Sequence, residues 1–506
     1  MKKYIILIAT AIFATACSDL EENPVGLLAP ESFFKTPADL QASANGSFAY
    51  MASEKYWGRQ LSMSLLLRGD MAQIGDLTTT PARVEVDQFR MNDGSEIVSA
   101  FWPQSYAIIG AANQTIAGAA KVSGDANTIN AIAAQAYFSR AFAYYHLVRL
   151  FGAIPYIDFA VKDIATVNSI SKTSEADVYT KIIADLKYAK EWLPNKQPVR
   201  SLPSKATAAA YLASVYLTLG DNQKAYNEAK YVIDNEGLFG LDLDANYQDL
   251  FDSSKALTLK EPLFTIDFIG QSRVNDLGQD YLASITGIRG DQTFSFGEGW
   301  SVAVPSLKVF NDWNQRDYRR AVSFDTIGKK GTTTYDYTKF TTMSSRAVNR
   351  PHIAKYFRKI GLAGLNGRES SSNYIMMRYA EVLLIAAEAL NEINPVTGNI
   401  EATSYVNRIR ARARNRAGVP SNYPANEIVG LSQTDFRKMV LRERRLELAF
   451  EFGRWYDIKR LKIGVEAFGA NGLEQQVFDP LKDYYFPLPG RELEKNPNLK
   501  PNNTGY

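Results

Sequence analysis

The feature that most constrains the fold is a helix hairpin in the middle of the chain, at residues 203–234. Its sequence predicts an alanine-rich helix over Lys205–Leu219, a tight turn at Gly220-Asp221 and a second helix over Lys224–Ile233. Alanines recur on both segments, so the two helix backbones can approach closely. Pairs of about this length, roughly 34 residues, are the units of tetratricopeptide-like arrays, which bury their apolar faces by stacking. The hairpin therefore predicts a mainly helical fold.

A second hairpin of the same kind is predicted at residues 376–415, and apolar periodicity predicts helices around both. Further helices are expected at residues 30–55, 95–120, 134–151 and 175–192, and further helix pairs at residues 95–151 and 434–461. Gly152 and Pro155 follow the helix at 134–151 and predict its end.

Residues 236–372, between the two hairpins, have a different character. Glycine is frequent there, and Pro262–Phe268 alternates apolar and polar residues like a short strand. Long irregular stretches inside a compact domain are usually functional, and residues 56–94 resemble this region. The predicted fold class is mainly α, with tetratricopeptide-like helix pairs and a loop-rich irregular lobe that contains a few short strands.

The only cysteine of the chain, Cys17, closes an N-terminal segment that resembles a bacterial lipoprotein signal. Lys2 and Lys3 precede a short apolar run, and Ala14-Thr15-Ala16 supplies the small residues of a cleavage site. The run is shorter than the ~20 residues that a membrane-spanning helix needs. We expect removal of residues 1–16 and acylation of Cys17, which would give stable membrane anchoring. The alternative is a chance cysteine in an ordinary signal peptide.

These signals divide the chain into four predicted parts. The expected parts are a signal peptide (1–16), a lipidated flexible leash (17–30), an N-terminal helical region (31–235) and a C-terminal region (236–506). Within the last part we expect a loop-rich insert at 236–372 and helices at 376–461.

Composition argues against several classes of chemistry. Loss of residues 1–16 lowers the formal net charge from +3 to +1, which leaves no basic excess for nucleic acid. Acylation of Cys17 leaves no thiol for a disulfide, a zinc cluster or a nucleophile. His146 and His352 are the only histidines, and no phosphate-binding or nucleophile-elbow motif stands out. We therefore predict no catalytic residues, no metal site and no cofactor.

Two charged patterns have both a structural and a chemical interpretation. Carboxylates recur at four-residue steps on one predicted helix, at Glu443, Glu447 and Glu451. Two carboxylates can serve a glycosidase, but Arg444, Arg445 and Arg454 lie one turn away and favour a structural ion-pair network. The alternating arginines at 408–416 are likewise expected to pair with acidic residues.

Six segments, in this order, resemble the SusD/RagB family of outer-membrane nutrient-binding lipoproteins. The segments are Cys17–Pro24, Ala134–Pro155, residues 203–234, Arg378–Asn391, Glu443–Trp455 and Asn496–Tyr506. The resemblance implies helix pairs that support an irregular lobe. It also implies a non-enzymatic protein that captures a glycan at the cell surface and passes it to a SusC-like TonB-dependent transporter. The helical repeats would face that transporter, and loops would form the glycan site.

Capture of a sugar requires flat aromatic faces against the pyranose ring and polar side chains for its hydroxyl groups. The candidate glycan-binding residues, all in irregular segments, are Trp300, Phe296, Phe89, Asn92, Trp57, Asp70 and Arg289. The other tryptophans lie in helical patterns and are expected in the core: Trp102, Trp192, Trp313 and Trp455. Alternatives to an oligosaccharide or polysaccharide binder are a protein-interaction scaffold of the outer membrane, a binder of another nutrient such as peptide, or a helical glycosidase.

Overall fold

The structure of the protein, a computed structural model, consists mainly of helices with a few short strands. It describes residues 33–270, 277–293, 299–337, 346, 348–361, 370–396, 398–427 and 430–506. The α-helices of these residues are α1 (Pro37–Met51), α2 (Gln60–Leu67), α3 (Pro81–Asp87), α4 (Glu96–Ala119), α5 (Ala126–Phe151), α6 (Ile164–Val167), α7 (Glu175–Trp192), α8 (Lys205–Thr218), α9 (Asn222–Asp234), α10 (Glu236–Phe239), α11 (Leu282–Thr286), α12 (Leu307–Asp312), α13 (Tyr318–Ser323), α14 (Tyr379–Ile393), α15 (Gly398–Ala413), α16 (Gln433–Glu447), α17 (Arg454–Leu461), α18 (Gly464–Phe468) and α19 (Gly490–Lys495).

The strands of the same residues are short and form only antiparallel pairs. They are β1 (Ala72–Ile74), β2 (Ile154–Pro155), β3 (Lys172–Thr173), β4 (Pro262–Ile266), β5 (Ala303–Pro305), β6 (Phe324–Asp325), β7 (Ile327–Lys330), β8 (Thr333–Asp336), β9 (His352–Ile353), β10 (Tyr374–Arg378), β11 (Asn415–Arg416) and β12 (Val419–Pro420). The pairs are β1–β5, β2–β3, β4–β10, β6–β9, β7–β8 and β11–β12. The prediction of a mainly α fold with a few short strands is confirmed.

The long helices pack in a continuous series. In this series α1 contacts α4, α4 contacts α5, α5 contacts α7, α7 contacts α8, α8 contacts α9, α9 contacts α14, and α14 contacts α15 and α16. The hairpins predicted at 203–234 and 376–415 are thereby confirmed as α8–α9 and α14–α15, and the pair at 95–151 as α4–α5. Since α9 packs on α14, the core is continuous across residue 235.

The helix pair predicted at 434–461 does not form as a hairpin. α16 packs on α14, whereas α17 contacts α2 in the first half of the chain. An ion pair between Arg444 and Asp457, 2.7 Å apart, joins α16 to α17. A short connection favours a hairpin, but tertiary packing partners decided the position of α17.

Helix α5 lies at the centre of the array. Asp125 caps its start, with the side chain accepting a hydrogen bond from the Thr128 N–H at 2.8 Å. From Ile132 onward nearly every residue is buried, because α1, α4 and α7 cover different faces of the helix. Gly152 ends the helix with a left-handed φ of 72°, which confirms its predicted role as a stop.

The strand predicted at 262–268 is confirmed as β4, although its burial differs from the expected alternation. All five residues of β4 are buried. β10 pairs with it, and α8 packs nearby, with the Thr207 hydroxyl donating to the Leu263 carbonyl at 2.7 Å. Both faces of this strand are therefore inside the protein.

Three of the four tryptophans assigned to the core are buried: Trp102, Trp313 and Trp455. Trp313 follows the end of α12 rather than lying within a helix. Trp192 is half-buried and packs beside Tyr188 at the end of α7. Cys17 and the predicted leash lie outside the described residues. Among the described helices, none combines the length and apolarity that crossing a bilayer requires.

The three glutamates near the end of α16 form a buried ion-pair network. Glu447 has no solvent exposure and accepts hydrogen bonds from Arg319 at 3.0 Å, from Arg378 at 2.6 Å and from Arg412. The remaining pairs of the network are Arg378–Glu261, Arg412–Glu261, Arg378–Glu451, Lys355–Glu451, Arg319–Asp317, Arg319–Glu443 and Arg410–Glu443. Burial acts to raise the pKa of Glu447, but the charges of the three arginines outweigh it and hold this pKa well below its ordinary value.

The predicted ion-pair network is confirmed, but most of its expected partners are different. Arg444 points away from the glutamates of its own helix and pairs with Glu381 and Asp457. Arg454 pairs with Asp70, on a different part of the chain. The partners of Glu447 are instead Arg378 of β10, Arg319 of α13 and Arg412 of α15, because the acidic face of α16 lies against those elements. The alternating arginines at 408–416 supply several of these pairs, as expected.

Candidate functional site

A short antiparallel ladder brings the loop after β1 against residues 300–302. Within the strands Ile74 is opposite Ala303. The ladder continues beyond them, with the Gly75 N–H donating to the Val302 carbonyl at 2.8 Å and the Asp76 N–H to the Ser301 carbonyl at 3.0 Å. Asp76 is thereby fixed beside the segment that carries Trp300.

A second close pairing brings residues 277–281 against residues 52–58. The Tyr281 N–H donates to the Gly58 carbonyl at 2.8 Å, and Gly58 closes a π-helical turn over Glu54–Gly58. A Cβ atom on Gly58 would lie 2.0 Å from the Gln279 carbonyl oxygen, so only glycine allows this approach. Arg59 and Tyr281 consequently lie side by side.

The backbone at Trp300 is held by hydrogen bonds on both sides. The Trp300 N–H donates to the Ser284 carbonyl at 2.6 Å, and the Ser301 N–H donates to the Gly287 carbonyl at 2.9 Å. Ser301 has a φ of 51°, a left-handed conformation that costs a non-glycine residue about 1–3 kcal/mol. Strain of this kind persists where surrounding contacts enforce it, as they do here.

The buried side chain of His352 holds Ser301 in place through a hydrogen bond. The Ser301 hydroxyl accepts a hydrogen bond from the Arg289 N–H at 2.9 Å and lies 2.8 Å from His352 Nε2. His352 Nδ1 lies 2.9 Å from the Arg350 carbonyl. Burial lowers the pKa of His352 to about 4, so the ring is neutral, with Nδ1–H as donor and Nε2 as acceptor.

These pairings assemble two aromatic rings and a group of arginines, which we call the aromatic–arginine platform. The platform consists of Tyr281, Trp300, Arg59, Arg83, Arg289 and Arg346. The rings of Tyr281 and Trp300 are stacked, with centroids 5.8 Å apart and planes inclined by 28°, and both are half-buried. The Arg59 guanidinium lies 5.3 Å from the Tyr281 centroid, and that of Arg83 lies 5.6 Å from the Trp300 centroid.

Two carboxylates of the described residues pair with arginines of the platform. Asp76 is buried and pairs with Arg289 at 3.2 Å and with Arg346. Hydrogen bonds from Thr78 and the charge of Arg346 lower the pKa of Asp76 despite the opposing effect of burial, so Asp76 is ionised at neutral pH. A second carboxylate, Glu54, pairs with Arg59.

Arg83, on α3, differs from the other arginines of the platform. It donates to the Thr79 hydroxyl at 3.0 Å and has no carboxylate within ion-pair distance in the described part of the chain. Burial and the nearby charges of Arg59 and Arg346 lower its pKa to about 10, so it stays charged at neutral pH. The Nε atom of Arg59 is also buried, with no acceptor in the part of the chain that the structure describes.

The platform contains two of the seven predicted glycan-binding residues, Trp300 and Arg289. Trp57 is fully buried against Phe142, His146 and Phe452, and it offers no ring face to a ligand. Phe89 is also in the core, where the Arg68 guanidinium lies 3.9 Å from its centroid. These two expectations fail because long-range packing covers rings that belong to locally irregular segments.

Asp70 and Asn92 have structural contacts away from the platform. Asp70 is buried and forms a bidentate pair with Arg454, at 2.7 and 2.6 Å. Asn92 is exposed, and its Oδ1 atom accepts a hydrogen bond from the Gly94 N–H at 2.8 Å in the turn before α4. Phe296 lies outside the described residues.

The sequence analysis missed the four residues that complete the platform: Tyr281, Arg59, Arg83 and Arg346. None of them belongs to a motif, and long-range backbone pairings such as Tyr281–Gly58 and Asp76–Ser301 bring their segments together. In the described residues no group of three or more His, Cys, Asp or Glu side chains could hold a metal ion.

Two other clefts lie elsewhere on the surface. One, of about 340 Å³, is lined by Trp102, Tyr106 and residues 492–499, and its cation Lys495 is paired with Glu492 at 2.9 Å. The other, of about 380 Å³, has a mostly apolar lining that includes Phe48 and Ile269. Neither combines half-exposed stacked rings with an arginine that lacks a carboxylate.

Two family models match the chain. The model described as "SusD family" matches residues 344–506, and the one described as "Starch-binding associating with outer membrane" matches residues 49–217. The SusD-like protein P2 of Formosa agariphila is 63% identical, and the match covers 100% of both chains. The chain belongs to the SusD family. A SusD-like protein of Bacteroides ovatus is 25% identical, with 90% of this chain and 82% of the relative covered.

Solved SusD structures share the fold. A SusD homologue from Bacteroides thetaiotaomicron superposes with a TM-score of 0.83 at 20% identity, covering 94% of this chain and 98% of the other. A laminarin-binding SusD-like protein gives a TM-score of 0.76 at 22% identity, covering 94% and 100%. Surface glycan-binding protein A from Bacteroides uniformis gives 0.75 at 19% identity, covering 92% and 99%. SusD is thus a carbohydrate-binding family associated with the outer membrane.

Proposed function

We propose that this protein captures an oligosaccharide or polysaccharide at the aromatic–arginine platform and delivers it to a SusC-like TonB-dependent transporter. The stacked pair of Tyr281 and Trp300, half-exposed and bordered by guanidinium groups, carries the proposal. Aromatic faces pack on the C–H groups of a pyranose ring, and the arginines donate hydrogen bonds to its oxygen atoms. The SusD family membership supports the same conclusion.

The role proposed is binding rather than catalysis. The carboxylates that could have suggested a glycosidase, Glu443 and Glu447, are buried and bound by arginines. A general acid must reach the glycosidic oxygen, which a carboxylate without solvent exposure does not do. We therefore assign them to stability.

We propose that acylated Cys17 anchors the protein to the outer membrane at the cell surface, with residues 18–30 as a leash. The anchor would confine the protein to the plane of its transporter, which raises their effective concentration without any new contact. The helical series from α1 to α16 is the surface that we expect to face the transporter, since stacked helix pairs present extended binding surfaces.

The binding role is tested by affinity electrophoresis of the purified protein without its signal peptide against a panel of polysaccharides. We expect retardation by at least one polysaccharide, and we expect Trp300→Ala and Tyr281→Ala each to weaken binding by about tenfold, or ~1.4 kcal/mol. The matched control is Phe159→Ala, which removes an aromatic ring that is 42% exposed and distant from the platform in sequence. Retardation that is unchanged in Trp300→Ala, or a preference for peptides over every glycan, would contradict the proposal.

A further inference from the structure

The balance of charge at the platform indicates what kind of glycan it accepts. Its four arginines are Arg59, Arg83, Arg289 and Arg346. Among the described residues two carboxylates pair with three of them, because Asp76 takes both Arg289 and Arg346 while Glu54 takes Arg59. The described carboxylates thus leave one of the four, Arg83, without an ion pair.

Arg83 has no carboxylate at ion-pair distance in the described residues, and Asp76 acts on it only through a charge interaction without an ion pair. Its side chain is partly buried over the Trp300 ring, and its hydrogen bond goes to the neutral hydroxyl of Thr79. Partial burial of a cation is costly unless an anion compensates it. Burial is the main cause of the lowered pKa of Arg83, the charges of Arg59 and Arg346 lower it further, and the charge of Asp76 opposes them.

The available donors also suit an anion. The buried Nε atom of Arg59 has no acceptor among the described residues. A guanidinium has donors only, in a planar fork that matches the paired oxygens of a carboxylate or a sulfate. Neutral hydroxyl groups accept such hydrogen bonds, but they bring no negative charge to pair with Arg83. Charge-assisted hydrogen bonds are roughly twice as strong as neutral ones.

We propose that the platform binds an anionic glycan, whose sugar ring stacks on Trp300 and Tyr281 while its carboxylate or sulfate group lies between Arg59 and Arg83. The inference rests on the proposed function, since it takes the platform as the glycan site. It adds the chemical class of the ligand and assigns Arg83 as a specificity-determining residue.

Isothermal titration calorimetry with matched polymers tests this assignment. The pairs are a polyuronate with its methyl-esterified form, and a sulfated polysaccharide with its desulfated form. We expect at least one charged polymer to bind about tenfold more tightly than its neutralised partner, with affinity that falls as salt rises. The pair that shows the difference distinguishes a carboxylate from a sulfate ligand.

Variants of the arginines give the second arm of the test. Arg83→Gln and Arg59→Gln should each reduce affinity for the charged polymer by about tenfold and weaken the salt dependence. Arg83→Lys keeps the charge without the fork and should fall between Arg83→Gln and the wild type. The control is Arg90→Gln, which removes an exposed arginine near α3 that lies outside the platform. Thermal unfolding of each variant verifies that it is folded.

The possible failures are distinguishable. Equal binding of charged and neutralised polymers, still lost in Trp300→Ala, would overturn the anionic ligand and leave the glycan site standing. Binding of charged polymers that is unaffected by both Trp300→Ala and Arg83→Gln would overturn the platform as the site. Absence of binding to any polymer would contradict the proposed function itself.

Discussion

The buried ion-pair network and the aromatic–arginine platform are both rich in arginine, yet they compensate its charge differently. In the network Arg378 contacts three carboxylates, those of Glu261, Glu447 and Glu451. At the platform Arg83 contacts none in the described part of the chain. Arg378, paired with carboxylates inside the fold, stabilises it, whereas we propose that Arg83, beside half-exposed rings and without an ion pair in the described residues, is available to a ligand.

The two regions also shift the pKa of arginine in opposite directions. Burial acts to lower both values. For Arg378 the charges of Glu451, Glu447 and Glu261 reverse that effect and raise the pKa well above its ordinary value. For Arg83 the neighbouring arginines add to it, and the pKa falls to about 10. The contrast supports the assignment of the network to stability and the proposal that the platform binds a ligand.

The largest expected effect comes from removing one arginine from each region. Arg378→Met should destabilise the protein by about 3–5 kcal/mol, because it leaves buried carboxylates without their partner. Arg83→Met should change the unfolding free energy by less than about 1 kcal/mol, since no ion pair in the described residues depends on it. Urea unfolding of both variants measures the difference. Equal destabilisation by the two substitutions would remove the distinction between the regions.

A smaller effect is expected from the backbone that shapes the platform. A Cβ atom on Gly299 would lie 2.4 Å from the Ile288 carbonyl oxygen, so Gly299→Ala should cost as much as about 3 kcal/mol and weaken glycan binding. The control is Gly46→Ala within α1, where a Cβ atom meets nothing within 4 Å. That substitution should stabilise the protein by roughly 0.5–1 kcal/mol. Urea unfolding and calorimetry measure both; a harmless Gly299→Ala would show that the close approach can relax.

The smallest effect in this series concerns pH. His352 has a folded pKa of about 4 against 6.5 when unfolded, so the unfolded state binds the proton first as pH falls. Its contribution to stability is fully present above pH 6.5 and should decrease by roughly 2 kcal/mol between pH 6.5 and 5. Burial lowers the pKa of His146 as well, so His146 acts in the same direction.

This pH dependence is measured by urea unfolding at several pH values between 5 and 7. His352→Gln should reduce the slope of stability against pH while His146 maintains the rest, and affinity for glycan should fall because Ser301 loses its support. A slope that is identical in wild type and variant would show that His352 is not the titrating group.

The sequence predicted the helical part of the fold well because the relevant signals are local. The turn at Gly220-Asp221 and the stop at Gly152 depend on backbone conformations that neighbouring residues determine. Apolar periodicity located α8, α9 and α14 to within a few residues. The charge pattern on α16 correctly predicted an ion-pair network. The sequence analysis expected the arginine partners of the glutamates on the same helix, whereas the structure places them on other elements.

The candidate site could be predicted only in part. Local irregularity selected Trp300 and Arg289, which lie together in the structure, but the same criterion selected Trp57 and Phe89, which are in the core. Whether an aromatic ring in a loop faces solvent depends on which distant segment packs over it, and no local pattern records that. Tyr281 was missed for the same reason.

The sequence by itself determined the helices, their hairpins and the presence of a charged network, since these depend on periodicity and on residue types a few positions apart. Tertiary structure alone decided the platform, because its arginines and rings come from segments more than 200 residues apart that meet through the Asp76–Ser301 and Gly58–Tyr281 backbone hydrogen bonds. Electrostatic balance at such a site is a sum over those distant neighbours, so it exists only once the chain has folded.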